Sequence, residues 1–337
     1  MLHSCPIGDL VLESGEIISE FSISYATHGE LNSARSNAIL MVTAIGANHT
    51  RLDFLIGPGR ALDTDTHFII CANAIGNGLT TSPSTSSTQP RLAFPRFTIR
   101  DMVASQHALL TQHLGITHVA AVIGPSMGGV QALQWGVSHP AFMDAIVALV
   151  PLAKTPAWTI ALLDATRQAI MLDPAWNNGN YTSPPARGIA LWRTLFYGLA
   201  ARTPEFYRDQ FTGPREILPW LHQQSAALTA AFDANDWLYQ TWAYERHDLG
   251  TTPGFGGDTA KALAAIQAPT LMALGTHDLV NPEWEPRAAA RLIPNAHVVT
   301  ISPGSITGHA AASGIVREDV AFLDTQIARF LSIHCAS

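Results

Sequence analysis

Six short runs dominated by Val, Ile, Leu and Ala punctuate the chain: AILMVTA (38–44), HFIICAN (67–73), VAAVIG (119–124), AIVALV (145–150), TLMALG (270–275) and HVVTI (297–301). Runs of this length without polar alternation suit strands buried on both faces. Stretches of helical length lie between or after them, at 100–114, 127–138, 283–292 and 317–331. Strands alternating with such helices predict an α/β architecture: a mostly parallel sheet with helices on both faces. Ahead of it, DLVLESGEIIS and FSISYATHG read as an antiparallel pair with Gly15 in the turn.

The rhythm breaks from about 153 to 257. This stretch holds Trp158, Trp176, Trp192, Trp220, Trp237 and Trp242, has helical spacing, and is interrupted by DPAWNNGNYTSPP and GTTPGFGG. The strand pattern resumes at 270 as though nothing had been completed at 150. The reading is therefore one catalytic domain, 1–152 and 258–337, carrying an inserted helical cap at 153–257 that serves as a lid.

Composition then removes whole classes of function. At 337 residues and 47% hydrophobic content the chain can bury a sizeable core. Only 13% of residues are charged and the net charge is −7, so neither nucleic acid nor an anionic membrane is an expected partner. Cys5, Cys71 and Cys335 show no CxxC spacing, which argues against a disulfide framework or a thiolate metal site. No run approaches the roughly 18 apolar residues of a membrane span, and the first residues do not resemble a secretory leader. A cytoplasmic location is expected.

The chemistry centres on AAVIGPSMGGVQALQWGVSHP (120–140), where Gly124-Pro125-Ser126-Met127-Gly128 fits the G-x-S-x-G pattern of a nucleophile elbow. A strand reversing sharply into a helix brings the helix start against its neighbours, and glycines on either side of the serine remove the Cβ atoms that would collide. The corner would hold Ser126 in a strained conformation at the helix N-terminus, beside backbone N–H groups suited to a developing oxyanion. A phosphate-binding loop fits less well, since no Lys-Ser, Lys-Thr or G-x-G-x-x-G accompanies the glycines.

A serine hydroxyl needs a base, itself oriented by an acid. Asp278 lies just past one predicted strand, in TLMALGTHDLVNP, and His309 lies past the next, in HVVTISPGSITGHAA. Strand C-terminal ends share one edge of a parallel sheet, so the three side chains can converge there. The order Ser, acid, His is that of the α/β-hydrolase fold. His277 competes with His309 for the base, and Asp144 and Asp248 compete with Asp278 for the acid. One oxyanion donor should be the N–H of Met127. The other should follow AILMVTA, with Ile45 the candidate and Ala44 next to it. Tyr239, Trp242 and Tyr244 are candidates for the wall of an acyl pocket, although the same rings could simply pack helices together. No HExxH or comparable spacing occurs, so no metal is expected.

With those residues in view, the chain resembles the homoserine O-acetyltransferase family of α/β-hydrolase-fold proteins. YATHGELNSARSNAILMVTA, IGPGRALDTDTHFIICANAIG, FPRFTIRDMVASQHALLTQHLGI and GPSMGGVQALQWGVSHP look like that family's successive landmarks. The resemblance implies a Ser126, Asp278, His309 triad, an acyl-enzyme and a homodimer built through the cap. Two regions depart from the family. The cap segment LWRTLFYGLAARTPEFYRDQF lacks its Gly-His-Ile-Thr-Tyr-like stretch, and HDLVNP replaces its Asp-Trp-Leu-Phe-Pro. The insertion also looks too poor in charge to grip an amino-acid acceptor. The first reading is therefore a serine hydrolase acting on an ester or thioester of a small-molecule acyl substrate, without a cofactor. The alternative is an O-acyltransferase moving an acetyl or succinyl group to homoserine or a similar hydroxyl, with acyl-CoA as co-substrate.

Overall fold

The computed structural model describes residues 1–226 and 232–335. Two long strands, β1 (Leu2–Val11) and β2 (Ile17–His28), pair antiparallel about a turn in which Gly15 takes φ +83°. The six apolar runs, with slightly altered ends, become β3 (Ala38–Val42), β4 (Phe68–Ala72), β5 (Val119–Pro125), β6 (Met143–Leu149), β7 (Thr270–Leu274) and β8 (Ala296–Thr300). They form one sheet in the order β1-β2-β4-β3-β5-β6-β7-β8. From β4 to β8 every pairing is parallel, and β2 joins β4 antiparallel. β3 shows why its run has no polar positions: Leu40 and Val42 enter one core layer while Ile39 and Met41 enter the other.

Helix α1 (Ile99–Ala108) starts where Thr98 and Asp101 exchange side-chain and backbone hydrogen bonds in a capping box. It continues into a wider π-helical turn, Leu109–His113, within the stretch predicted as one helix. Helix α2 (Met127–Ser138) follows the serine corner. Between β6 and β7 the chain forms α3 (Ala157–Met171), α4 (Ala186–Arg193), α5 (Pro204–Gln210), α6 (Pro214–Ala226), α7 (Ala234–Glu245) and α8 (Thr259–Ala264). Helices α9 (Trp284–Ala290) and α10 (Arg317–His334) complete the chain. Met102, Val103, Val130 and Leu133 of α1 and α2 belong to the core layer of Leu40, while Leu323, Ile327, Phe330 and Leu331 of α10 belong to that of Ile39. Among the described residues no helix is long and apolar enough to cross a membrane.

The passages leading from β6 toward α3 and away from α7 are clipped together. Thr155 N donates to His247 O and Leu249 N to Ala153 O, both at 3.0 Å. Lys154 and Asp248 form an ion pair at 2.8 Å between those bonds.

Candidate active site

β5 ends at Pro125 and α2 begins at Met127, which isolates Ser126 at the corner with φ 57° and ψ −119°. A non-glycine residue in such a region costs about 1–3 kcal/mol and persists only where its surroundings enforce it. They do so here. A Cβ on Gly124 would lie 2.4 Å from the Gly128 backbone, and one on Gly128 would lie 2.5 Å from Val42 O. Ser126 N donates to Leu149 O at 2.8 Å, fixing the corner to β6.

Ser126 Oγ lies 2.8 Å from His309 Nε2, and His309 Nδ1 lies 2.7 Å from Asp278 Oδ2. The other carboxylate oxygen of Asp278 accepts the Val280 and Asn281 N–H groups, each at 2.8 Å. With the carboxylate accepting, Nδ1 carries the imidazole proton, and Nε2 is left to accept the hydrogen of the serine hydroxyl. All three residues are buried. The loops bearing Asp278 and His309 touch backbone to backbone, since a Cβ on Gly275 would stand 2.2 Å from Gly308 O. Behind the histidine, Asp319 of α10 accepts Ser305 Oγ at 3.1 Å and Thr307 Oγ1 at 2.8 Å. Such a relay can deprotonate Ser126 as it attacks and return the proton to a leaving group.

The competing residues lie elsewhere. His277 has φ 53° and faces Glu205 at 3.6 Å on the surface. Asp144, near the start of β6, pairs with His118 at 2.8 Å, and Asp248 belongs to the clip with Lys154. The hydrogen-bond ladder of α2 begins with Val130 N donating to Ser126 O, so the Met127 N–H stands ahead of it at the helix start. Ile45 follows Ala44 in a turn closed by Ala47 N donating to Ala44 O at 3.1 Å. At the tip of that turn Gly46 N donates to Gln240 Oε1 at 2.8 Å, a tether from α7 that sequence reading did not single out.

The three aromatic candidates separate. None of the three is in the cavity wall beside His309: the Tyr239 hydroxyl donates to Phe94 O at 2.6 Å, and the Arg96 guanidinium lies over the Tyr239 and Trp242 rings. Those two rings take the packing role. Tyr244 reaches the reacting atoms instead. Its hydroxyl donates to Asn281 Oδ1 at 2.9 Å and interacts with Ser126 and Asp278. Burial pushes this phenol well above its ordinary range, so it keeps its proton at neutral pH. Helical geometry explains the division, because positions three apart share a face of α7 whereas Tyr244 lies about 200° round from Trp242.

A cavity of about 570 Å³ adjoins His309 and is lined by Arg51, Arg193, Tyr197 and Arg202 among others. After α4 the chain continues in a wider turn, Thr194–Ala200, which brings Arg193 and Tyr197 to the same wall. Arg51 donates to Ala312 O, Arg202 to Tyr197 O and Arg193 to Gln224 O. Among the described residues none of the three pairs with a carboxylate. Arg193 is only 4% exposed, and its Nη1 has no hydrogen-bond partner among the described residues. The expectation of an insertion too poor in charge therefore fails: charged residues are at least as frequent in 153–257 as along the whole chain, and its Arg193 and Arg202 meet Arg51 on one wall with no carboxylate partner among the described residues.

Residues 37–307 match the α/β hydrolase fold family. A homoserine O-acetyltransferase from Nostoc punctiforme is 35% identical over 318 residues, covering 89% of this chain and 88% of that one. The solved structure of the acetyl esterase MekB is 31% identical, with a TM-score of 0.91 over 98% of this chain and 97% of its own. Homoserine O-acetyltransferase from Bacillus anthracis is 25% identical, with a TM-score of 0.88 over 100% of this chain and 99% of its own. The chain belongs to the α/β-hydrolase fold family, among its homoserine O-acetyltransferase-like enzymes.

Proposed function

We propose that the chain passes a short acyl group, by way of acyl-Ser126, to a hydroxyl acceptor that bears a carboxylate, homoserine being the model and acyl-CoA the donor. The observation that carries this reading is Arg193, a buried guanidinium with no carboxylate partner among the described residues that helps to line the cavity beside His309. An unpaired buried cation is costly, and a carboxylate from the acceptor would relieve that cost. The relationship to the acetyltransferases supports the same acceptor class.

In this mechanism Ser126 Oγ attacks the acyl carbon while His309 Nε2 takes its proton and Asp278 steadies the imidazolium. The Met127 and Ile45 N–H groups hold the oxyanion. The thiol leaves with the proton from His309. In the second half the acceptor hydroxyl gives its proton to His309 and attacks the acyl carbon, and Ser126 Oγ departs protonated. We read 153–257 as the lid over this chemistry. Acetyl-ester hydrolysis is the second reading, favoured by the 31% identity to an acetyl esterase along nearly the whole chain. The test is product composition from acetyl-CoA as L-homoserine is raised. Saturable formation of O-acetylhomoserine supports transfer, with Arg193→Met raising the half-saturating homoserine concentration about tenfold or more. Free acetate as the product at every homoserine concentration gives the assignment to hydrolysis.

A further inference from the structure

Tyr244 and Asn281 form a polar pair beside the nucleophile, and the hydrogen-bond directions within it are determined. Asn281 Nδ2 donates to Val150 O at 2.6 Å, and since a carbonyl can only accept, the amide orientation is fixed. Its Oδ1 therefore faces Tyr244 and takes the single hydroxyl hydrogen of that residue, at 2.9 Å. What Tyr244 Oη then presents toward Ser126 is a lone pair. Both residues are essentially inaccessible, so no bulk water competes for this acceptor in the resting site.

We propose that Tyr244 Oη orients the water that attacks acyl-Ser126, and so sets how the acyl-enzyme divides between hydrolysis and transfer. The inference rests on the acyl-Ser126 reading and deepens it. A water molecule has two hydrogens: one goes to His309 Nε2 as the oxygen attacks the acyl carbon, and the other is held by Tyr244 Oη. The new C–O bond forms, the bond from the acyl carbon to Ser126 Oγ breaks, and Oγ takes the proton back from His309. The acid then leaves and loses its own proton to solvent. An alcohol acceptor has one hydroxyl hydrogen, which His309 requires, so it has none left for Tyr244. The pair thus favours water over a simple hydroxyl at the same position, so transfer depends on the acceptor's carboxylate being held at the arginine wall.

The test uses p-nitrophenyl acetate with methanol as competing acceptor, so that the result does not depend on the arginine wall. The p-nitrophenol burst reports acyl-enzyme formation, and the ratio of acetate to methyl acetate reports partitioning. Tyr244→Phe should keep the burst amplitude while lowering the acetate-to-methyl acetate ratio about tenfold, the scale of one oriented hydrogen bond. Because that variant leaves Asn281 Oδ1 buried and unpartnered, Tyr244→Phe/Asn281→Leu provides a second measurement and should show the same change in ratio. A normal burst with an unchanged ratio in both variants overturns the role of Tyr244 alone. An acetate-to-methyl acetate ratio that differs between p-nitrophenyl acetate and phenyl acetate in the parent enzyme denies a common acyl-enzyme, and overturns the acyl-Ser126 reading and this inference with it.

Discussion

Ser126, His309 and Asp278 are joined by two short hydrogen bonds, so substitutions among them should not add. Ser126→Ala should abolish acyl-enzyme formation, leaving a residual rate of about 10³ to 10⁴ over water from binding and the oxyanion donors. His309→Ala should cost about as much, and the double variant little more. Asp278→Asn should fold and still lose most of the rate, because the imidazole is then held in the wrong tautomer. Single-turnover kinetics and labelling by a serine-reactive fluorophosphonate check the set; undiminished labelling of the Ser126→Ala variant would exclude Ser126 as nucleophile. The convergence of these three side chains was legible in the sequence because each follows the C-terminal end of a strand that its apolar run makes visible. The arginines of the cavity were not. Charge counted along a segment does not reveal which cations lack a partner, and Arg51 reaches Arg193 and Arg202 from a distant loop.

At the scale of elements, the strand-to-helix corner depends on space that only glycine leaves. Gly124→Ala would push a Cβ to 2.4 Å from backbone atoms of Gly128, which no side-chain rotation can relieve. The expected result is a loss of about 3 kcal/mol or more, with loss of fluorophosphonate labelling as the corner opens. Gly213→Ala is the control, since a Cβ there meets nothing within 4 Å, and it should stay within about 0.5 kcal/mol of the parent. Chemical denaturation of both variants decides; equal midpoints would mean that the corner tolerates the added carbon. The strands and α2 were predictable because their patterns are set by burial on known faces. The two π-helical turns were not, since a single extra residue per turn scarcely alters the hydrophobic spacing. Nor did the cluster of rings on α7 reveal which ring faces the serine: all three are aromatic, and the face is decided by packing against Phe94 and Arg96.

In the whole molecule, the clip joining residues 153–155 to 247–249 carries a titratable group that links stability to pH. His247 is fully buried, and burial, with a further contribution from Arg100, pushes its pKa down to about 3 against the opposing pull of Asp248. Its Nε2 has no hydrogen-bond partner among the described residues, so no hydrogen bond from that nitrogen stabilises the imidazolium. The unfolded chain takes up this proton near a pH of about 6.5 and the folded chain does not. Between those values the unfolded state therefore binds more protons, and stability falls as the pH falls. The contribution is complete above the unfolded pKa and is lost progressively toward pH 3, at a rate approaching about 1.4 kcal/mol per pH unit. His139, stacked 4.1 Å from His107 and pushed down to about 4 by burial and that neighbour, acts in the same direction. Asp236 acts oppositely: burial, with the Asp233 charge, raises its pKa, so its contribution is greatest in acid and declines as the pH rises. His247→Gln, neutral at every pH, should flatten the acid limb of stability against pH, measured by denaturant unfolding between about pH 6 and 4. Asp236→Asn should steepen that limb, because it removes the opposing contribution. If the parent and the His247→Gln variant lose stability with the same slope, His247 is not the group that couples the clip to pH.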